Sequence, residues 1–198
     1  YYMLVFISGA RRQSFVVFAP CMTVERFGLE VHEVTALMLV NYLFVMGFAP
    51  VAGRLIQRFG ERLALVAEYL GLFTVFALYA GVYFLDWGVW LAMALYVIDH
   101  MLFSLAIAQK TYFQKIADPA DQAPTAAVAF TINHIAAVTL PAPLGLLWLA
   151  SPGAVFGLAA ALALASLALA FMVPRHPVPG RETAFTRPPM PMAAQPGE

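Results

Sequence analysis

Long apolar runs separated by short polar gaps are the dominant pattern of the chain. Each run has about 20 or more mostly apolar residues, the length that an α-helix needs to cross the hydrocarbon of a bilayer. The runs lack the strict two-residue alternation of barrel strands, so the pattern favours helices. It predicts six membrane spans, over residues 2–24, 34–56, 63–85, 87–109, 125–149 and 152–173.

The composition agrees with a membrane protein. Hydrophobic residues make up 62% of the chain and charged residues 11%, whereas soluble domains are closer to half and a quarter. We therefore expect an integral, multi-pass protein surrounded by the lipid bilayer. The net charge of zero gives no indication of a nucleic-acid partner. No His or Cys residues stand at metal-ligand spacing, so we expect no metal and no cofactor.

The eleven Lys and Arg residues are distributed unequally between the two sides of the predicted bundle. Two lie inside the first span, one (Arg26) lies in the loops of one side, and eight lie on the other side. The eight are Arg54, Arg58, Arg62, Lys110, Lys115, Arg175, Arg181 and Arg187. Because cytoplasmic loops carry the excess of positive charge, we predict that the eight-cation side is cytoplasmic, in the cell (inner) membrane.

The two ends of the chain differ in character. Tyr1 opens an already apolar segment, which we interpret as the start of a piece cut from a longer protein rather than as a signal peptide. Residues 174–198 contain seven prolines and scattered charges without periodicity, a pattern typical of disorder. The sequence thus predicts a six-span bundle over 1–173 and a disordered Pro-rich tail over 174–198, with both ends cytoplasmic.

Polar residues inside the predicted spans are costly in a bilayer and are therefore candidates for function. They occur in spans one, two, four and five. Spans three and six are nearly apolar, and Glu68 in span three is expected to reach the interface. The candidates for a substrate or ion pathway are Arg11, Arg12, Asn41, Tyr96, Asp99, His100, Asn133 and His134. Adjacent residues point about 100° apart on a helix, so we expect one of each adjacent pair to face a cavity.

Span four carries a polar stripe. Tyr96, Asp99, Phe103 and Lys110 fall on one helical face, which is a candidate wall of a water-filled cavity. In span six, the four-residue spacing of two glycines indicates a packing helix instead, with Gly153 and Gly157 at the contact.

Structural and functional roles both remain open for the charged candidates. Arg11 or Arg12 could attract an anionic group, or could pair with Asp99 only to hold helices together. Asp99 with His100 is a candidate proton site, because a histidine titrates near neutral pH and a neighbouring acid tunes it. His134 could take part in proton handling or could simply hydrogen-bond a neighbouring helix.

The loop between spans two and three has a pattern of its own. Its characteristic positions are Gly53, Leu55, Arg58, Gly60 and Arg62. This pattern resembles the loop signature of the major facilitator superfamily, which joins the second and third helices of each half. Gln57 stands where the stronger first-half copy has an aspartate, as in the degraded second-half copy. The resemblance implies an all-α fold of two three-helix repeats, the C-terminal half of a twelve-helix transporter.

The resemblance also implies roles for the helices and the loop. The first helix of each repeat would line a central cavity, the second would flank it and the third would face lipid. The bundle would rock against an N-terminal six-helix half around a midplane site. Gly53, Arg58, Gly60 and Arg62 would form a cytoplasmic gating loop, weakened by Gln57. The alternative for the arginines is that they only set topology.

The leading functional hypothesis is transport of a small solute by a secondary active transporter, with proton coupling left open. The alternative is a six-span structural or signalling protein without transport activity. A membrane-embedded serine hydrolase using Ser8 or Ser104 with His134 is disfavoured, because neither serine stands in a nucleophile motif. We therefore do not expect an enzyme.

Overall fold

The computed structural model describes residues 1–179 and 182–185. Within these ranges the chain forms eight α-helices and a 3-10 helix, Ser104–Ala106. The α-helices are α1 (Tyr2–Phe27), α2 (Val31–Phe59), α3 (Glu61–Leu85), α4 (Val89–Phe103), α5 (Ile107–Ile116), α6 (Pro119–Thr139), α7 (Pro141–Ala150) and α8 (Pro152–Phe171). Much of the predicted disordered tail, with Arg181 and Arg187, lies outside the described residues, so its disorder stays a prediction.

The described part of that tail lies against the bundle. The backbone N–H of Ala184 donates to the carbonyl oxygen of Met172, at 2.7 Å. The Tyr112 hydroxyl donates a hydrogen bond to the carbonyl oxygen of Glu182. These contacts hold residues 182–185 near the ends of α5 and α8.

Five helical segments among the described residues are long and apolar enough to cross a membrane. They are Val31–Phe59, Glu61–Leu85, Val89–Ile116, Pro119–Ala150 and Pro152–Phe171. The first helix is 26 residues long but is not among the five, because Arg11, Arg12 and Gln13 lower its hydropathy. The protein is thus an all-helical membrane protein, and the sixth span stays a prediction.

Glycine and proline residues set several helix boundaries. Gly28 ends α1 with φ of +68°, and Gly60 separates α2 from α3 with φ of +83°, a backbone conformation that side chains disfavour. Asp118 accepts a hydrogen bond from the N–H of Ala120 and so begins α6 earlier than the predicted span. Pro141, which lacks an N–H, begins α7 and divides the fifth predicted span in two.

The helices pack in a defined order. α3 and α8 share the most extensive contact, α1 packs against α6 and α8, and α4 packs against α2 and α3. Phe15 on α1 lies at the centre of the core, with its ring 5.1 Å from that of Tyr79 on α3 and 5.9 Å from that of Tyr96 on α4. The core therefore joins α1, α3 and α4 through aromatic side chains.

The expectation that the third span is nearly without buried polar chemistry is wrong, whereas the expectation that it faces lipid stays a prediction, because α3 keeps an exposed apolar side with Leu63, Leu70 and Phe84. α3 supplies several fully buried side chains, including Leu65, Glu68, Tyr69 and Tyr79. It occupies this position because α8 packs along it on one side and α4 on another. The prediction that both Gly153 and Gly157 of α8 lie at a helix contact is correct for Gly153 only. A Cβ atom at Gly153 would meet the rings of Tyr83 and Phe84, whereas Gly157 is open.

Candidate functional site

A buried ion pair joins α1 to α3 in the middle of the bundle. The Arg11 Nη2 atom donates to Glu68 Oε1 at 3.1 Å, and the two side chains are 1% and 0% exposed. The guanidinium also lies over the ring of Tyr69, 4.9 Å from its centroid. The pair neutralises two charges that could not otherwise be buried at this depth.

Several buried polar atoms, including two of the ion pair itself, have no hydrogen-bond partner. Within the part of the chain that the structure describes, Arg11 Nη1, Glu68 Oε2, Tyr69 Oη and Asn41 Oδ1 are buried without a hydrogen-bond partner. Unpaired buried polar atoms are costly. The pair is therefore sensitive to the loss of either member.

The sequence-based expectations for these charges need two corrections. Glu68 does not reach the interface; its side chain points from α3 into the bundle and is fully buried. The ion pair of Arg11 is formed with Glu68 and not with Asp99. Sequence reasoning missed Glu68 because the side of α3 that faces α1 follows from helix packing, and no motif marks it.

Arg12 lies in a different environment from its neighbour Arg11. Its side chain is exposed, and its guanidinium lies over the ring of Phe103, 4.6 Å from the centroid. No carboxylate of the described residues forms an ion pair with it. The 100° step between adjacent helical residues directs Arg11 into the core and Arg12 to the side of α1 that faces α4.

Asp99 and His100 on α4 lie beside the aromatic core. Asp99 is 6% exposed, and its Oδ2 atom is 3.7 Å from His100 Nδ1. The same Nδ1 atom is 3.0 Å from the carbonyl oxygen of Tyr96. Arg11 and Arg12 interact electrostatically with Asp99 from α1, although neither forms an ion pair with it, so the two arginines, Glu68 and Asp99 form one cluster of ionisable groups.

A cavity of about 550 Å³ lies between α1, the α4–α5 segment and α6. Cations, amides, the Ser8 hydroxyl, and apolar or aromatic side chains line it. Of the eight pathway candidates, Arg12 and Asn133 line this cavity. Arg11, Asn41, Tyr96, Asp99, His100 and His134 are not part of its lining in the described structure.

The proposed stripe on span four is thus divided. Tyr96 and Asp99 are buried against the core, whereas Phe103 and Lys110 line the cavity. The division lies within α4, between Asp99 and Phe103, so it follows from what packs on the helix at each level; the 3-10 turn at Ser104–Ala106 separates only Lys110 from the other three residues.

Asn133 and His134 also differ in their contacts. Asn133 packs against the backbone of Gly9, where a Cβ atom would lie 2.3 Å from Asn133 Oδ1. The exposed His134 has its Nδ1 atom 2.9 Å from the carbonyl oxygen of Phe130, on its own helix. Of the two alternatives for His134, a bond to a neighbouring helix does not form among the described residues, where its contact is with its own helix; proton handling stays a prediction.

The loop after α2 is tied to α5 by an ion pair that the sequence did not reveal. Glu61 is 3% exposed, and its Oε1 atom lies 2.6 Å from Lys115 Nζ. Arg58 lies over the ring of the adjacent Phe59, 5.4 Å from the centroid. Lys115 lies in the last turn of α5, the helix whose Lys110 and Gln114 line the cavity, so the Glu61 contact places the loop at the C-terminal end of α5.

The sequence matches the family model of the Major Facilitator Superfamily over residues 1–195. The chain belongs to the major facilitator superfamily. The resemblance inferred from the loop of residues 53–62 is confirmed. Proteins of this superfamily are transporters rather than enzymes, so the general function is membrane transport. No curated protein and no solved structure matched the chain.

The ion pair of α1 and α3 generates a stability prediction. Arg11→Met and Glu68→Leu should each lower the free energy of unfolding by about 3–5 kcal/mol, because each leaves one buried charge without its partner. The double variant Arg11→Met with Glu68→Leu should lose less than the sum of the two single losses. Thermal and denaturant unfolding in detergent measure these differences.

The matched control is the exposed pair of Arg26 and Asp86, whose closest atoms are 3.3 Å apart. Arg26→Gln should change stability by about 1 kcal/mol or less, since solvent screens that pair. Strictly additive losses for the Arg11 and Glu68 variants would show that the two side chains do not interact.

Proposed function

We propose that this protein moves a small solute across the membrane by alternating access, as the C-terminal six-helix half of a secondary active transporter. The observation that carries the proposal is the cavity beside Arg12. This exposed guanidinium lies ten residues after the start of α1, about 15 Å along the helix. Lipid cannot solvate a charge at that depth, so the side of α1 that carries Arg12 faces water or another protein segment.

The pattern of helix contacts supports two repeats. Exchanging the first three spans with the last three replaces α1 by α4–α5, α2 by α6–α7 and α3 by α8. Under this exchange the contact of α1 with α6 becomes that of α4 with α2. The contact of α1 with α8 becomes that of α4 with α3. Both members of each pair are present, as expected of a duplicated three-helix unit.

The exposed sides of the flanking helices support a second half. α2 and α6 each carry large exposed apolar side chains, such as Tyr42, Met46 and Phe130. The polar residues Arg12 on α1 and His134 on α6 are also exposed. Lipid alone could cover exposed apolar side chains. A surface that combines them with polar groups fits better against a second half of the protein, which would move relative to this bundle around a bound solute.

In this proposal the mouth of the cavity and the Gly60 loop both lie on the cytoplasmic side, with Gly53, Arg58 and Arg62 near the gate. The cation distribution supports this orientation.

In a Cys21→Ala background, Gln57→Cys should react with a membrane-impermeant maleimide only after the cells are opened, whereas Ser151→Cys should react in intact cells. Labelling of Gln57→Cys in intact cells would contradict the orientation.

Asp99 is the proposed coupling group. It is buried on α4 next to His100, within the field of two arginines on α1, so gain or loss of its proton changes the charge balance of the cluster. A change of this kind at the contact of α1 with α4 would favour one packing of the two helices over another.

The coupling proposal predicts the behaviour of one variant. Asp99→Asn should reduce pH-gradient-driven uptake into proteoliposomes to the level of empty liposomes, because an amide cannot release a proton. Organic acids, amines and sugars serve as the solute panel. Asp121→Asn, an exposed change in the first turn of α6, is the control and should leave uptake unchanged. Undiminished gradient-driven uptake by Asp99→Asn would refute coupling through this residue, while solute exchange without a gradient tests transport itself.

A further inference from the structure

We propose that the cavity between α1, α4–α5 and α6 binds a small organic anion with an apolar or aromatic body. The inference rests on the proposed transport function and specifies the chemical class of its solute. Three properties of the lining support it: its charge, its unoccupied hydrogen-bonding groups and its aromatic rings.

The charge of the cavity is positive. Arg12 and Lys110 line it, and none of its described lining residues is a carboxylate. Neither cation forms an ion pair within the described chain. Asp99 attracts Arg12 from outside the lining, but its stronger electrostatic interaction is with Arg11. Arg12 is therefore the cation of the central cluster that remains open to a ligand.

Arg12 and Lys110 differ in depth. Phe103, which stacks on Arg12, precedes Lys110 by seven residues, so the two cations are separated by about 10 Å along the helix. Lys110 lies on α5, on the side that the proposed orientation places toward the cytoplasm, where its charge attracts anions. Arg12 lies deeper, and its planar guanidinium suits a bidentate contact with a carboxylate.

Polar groups without partners extend this site. Gln109 is 6% exposed and Ser8 is 7% exposed, and both line the cavity. Neither side chain makes a hydrogen bond to another described residue, in contrast to Gln122, which donates to the carbonyl oxygen of Gln114 at 3.4 Å. Buried hydrogen-bonding groups are normally satisfied. Gln109 and Ser8 are placed to donate to the oxygens of a bound ligand.

Aromatic rings form the apolar part of the wall. Phe103, Phe113 and Phe130 come from the α4–α5 segment and from α6. The ring of Tyr1 stacks on that of Phe113 at 4.5 Å between centroids. The volume of about 550 Å³ lies within the range of about 300–1,000 Å³ that is usual for small-molecule sites. A ring or short hydrocarbon chain attached to a carboxylate matches this combination.

Other solute classes match the lining less well. A cationic amine would meet two positive charges and no carboxylate. A sugar would satisfy the amides but would leave Arg12 without a counter-charge and would place hydroxyl groups against the rings. The expected order of binding is therefore anion first, neutral analogue second and amine last.

The test uses three probes that share one ring and differ in charge: phenylacetate, 2-phenylethanol and 2-phenylethylamine. Binding to the purified full-length protein is measured by titration calorimetry at low salt. Phenylacetate should bind about tenfold or more tightly than the amine, and Arg12→Gln should weaken its binding by a similar factor, the usual effect of losing a charge-assisted hydrogen bond. Arg12→Lys should retain part of the preference.

Two further variants make the test specific. Lys110→Gln should weaken phenylacetate binding to a smaller extent, and it serves in place of Arg12→Gln if that variant fails to fold. Arg54→Gln removes an exposed cation outside the cavity and should have no effect. Equal binding of the three probes, absence of binding by all three, or equal losses from Arg12→Gln and Arg54→Gln would each overturn the inference.

The result also separates this inference from the proposed transport. Phenylacetate binding without uptake of any solute into proteoliposomes would support the anion site and contradict transport. Uptake of an amine or a sugar, with no preference for phenylacetate, would support transport and contradict the anion site.

Discussion

The structure depends on one constraint: a charge inside a bilayer needs a partner or water. The adjacent residues Arg11 and Arg12 meet this constraint in two different ways. Arg11 points into the bundle and pairs with Glu68 at 3.1 Å, whereas Arg12 lies on another side of α1 and lines the cavity. Because both belong to one helix, the position that satisfies Arg11 also fixes where Arg12 points. The fold and the candidate site are therefore coupled through the rotation of α1.

This coupling explains the central position of α3. The helix has an apolar sequence that would suit lipid, but Glu68 extends from one of its sides to Arg11 on α1, while α8 packs along another side. The close contact of Gly9 with Asn133 brings α6 against the opposite part of α1. Between these two contacts and the α4–α5 segment lies the cavity. Its position thus follows from one ion pair and one glycine contact on the same helix.

The sequence predicted much of the architecture because hydropathy and the positions of helix-breaking glycines and prolines are local properties of the chain. The apolar runs located the helices, and Gly53, Gly60 and the loop arginines indicated the superfamily. The partners of buried charges could not be predicted in the same way. From the sequence, Asp99 is the expected partner of Arg11 and Glu68 is expected at the interface; only the placement of the two helices in the folded bundle shows that Arg11 pairs with Glu68. The division of the polar stripe of span four, between Asp99 and Phe103 within α4, also has no proline or glycine signal in the sequence.

The most direct test of this account is the water accessibility of the two sides of α1. In a Cys21→Ala background, Arg12→Cys places a thiol at the cavity and Ser14→Cys places one on the buried side, where Ser14 is 2% exposed. The rate of reaction with a charged methanethiosulfonate reagent is measured for the membrane-embedded protein. The account predicts rapid modification of Arg12→Cys and very slow modification of Ser14→Cys. Equal rates, or faster modification of Ser14→Cys, would contradict the assignment of the two sides of α1.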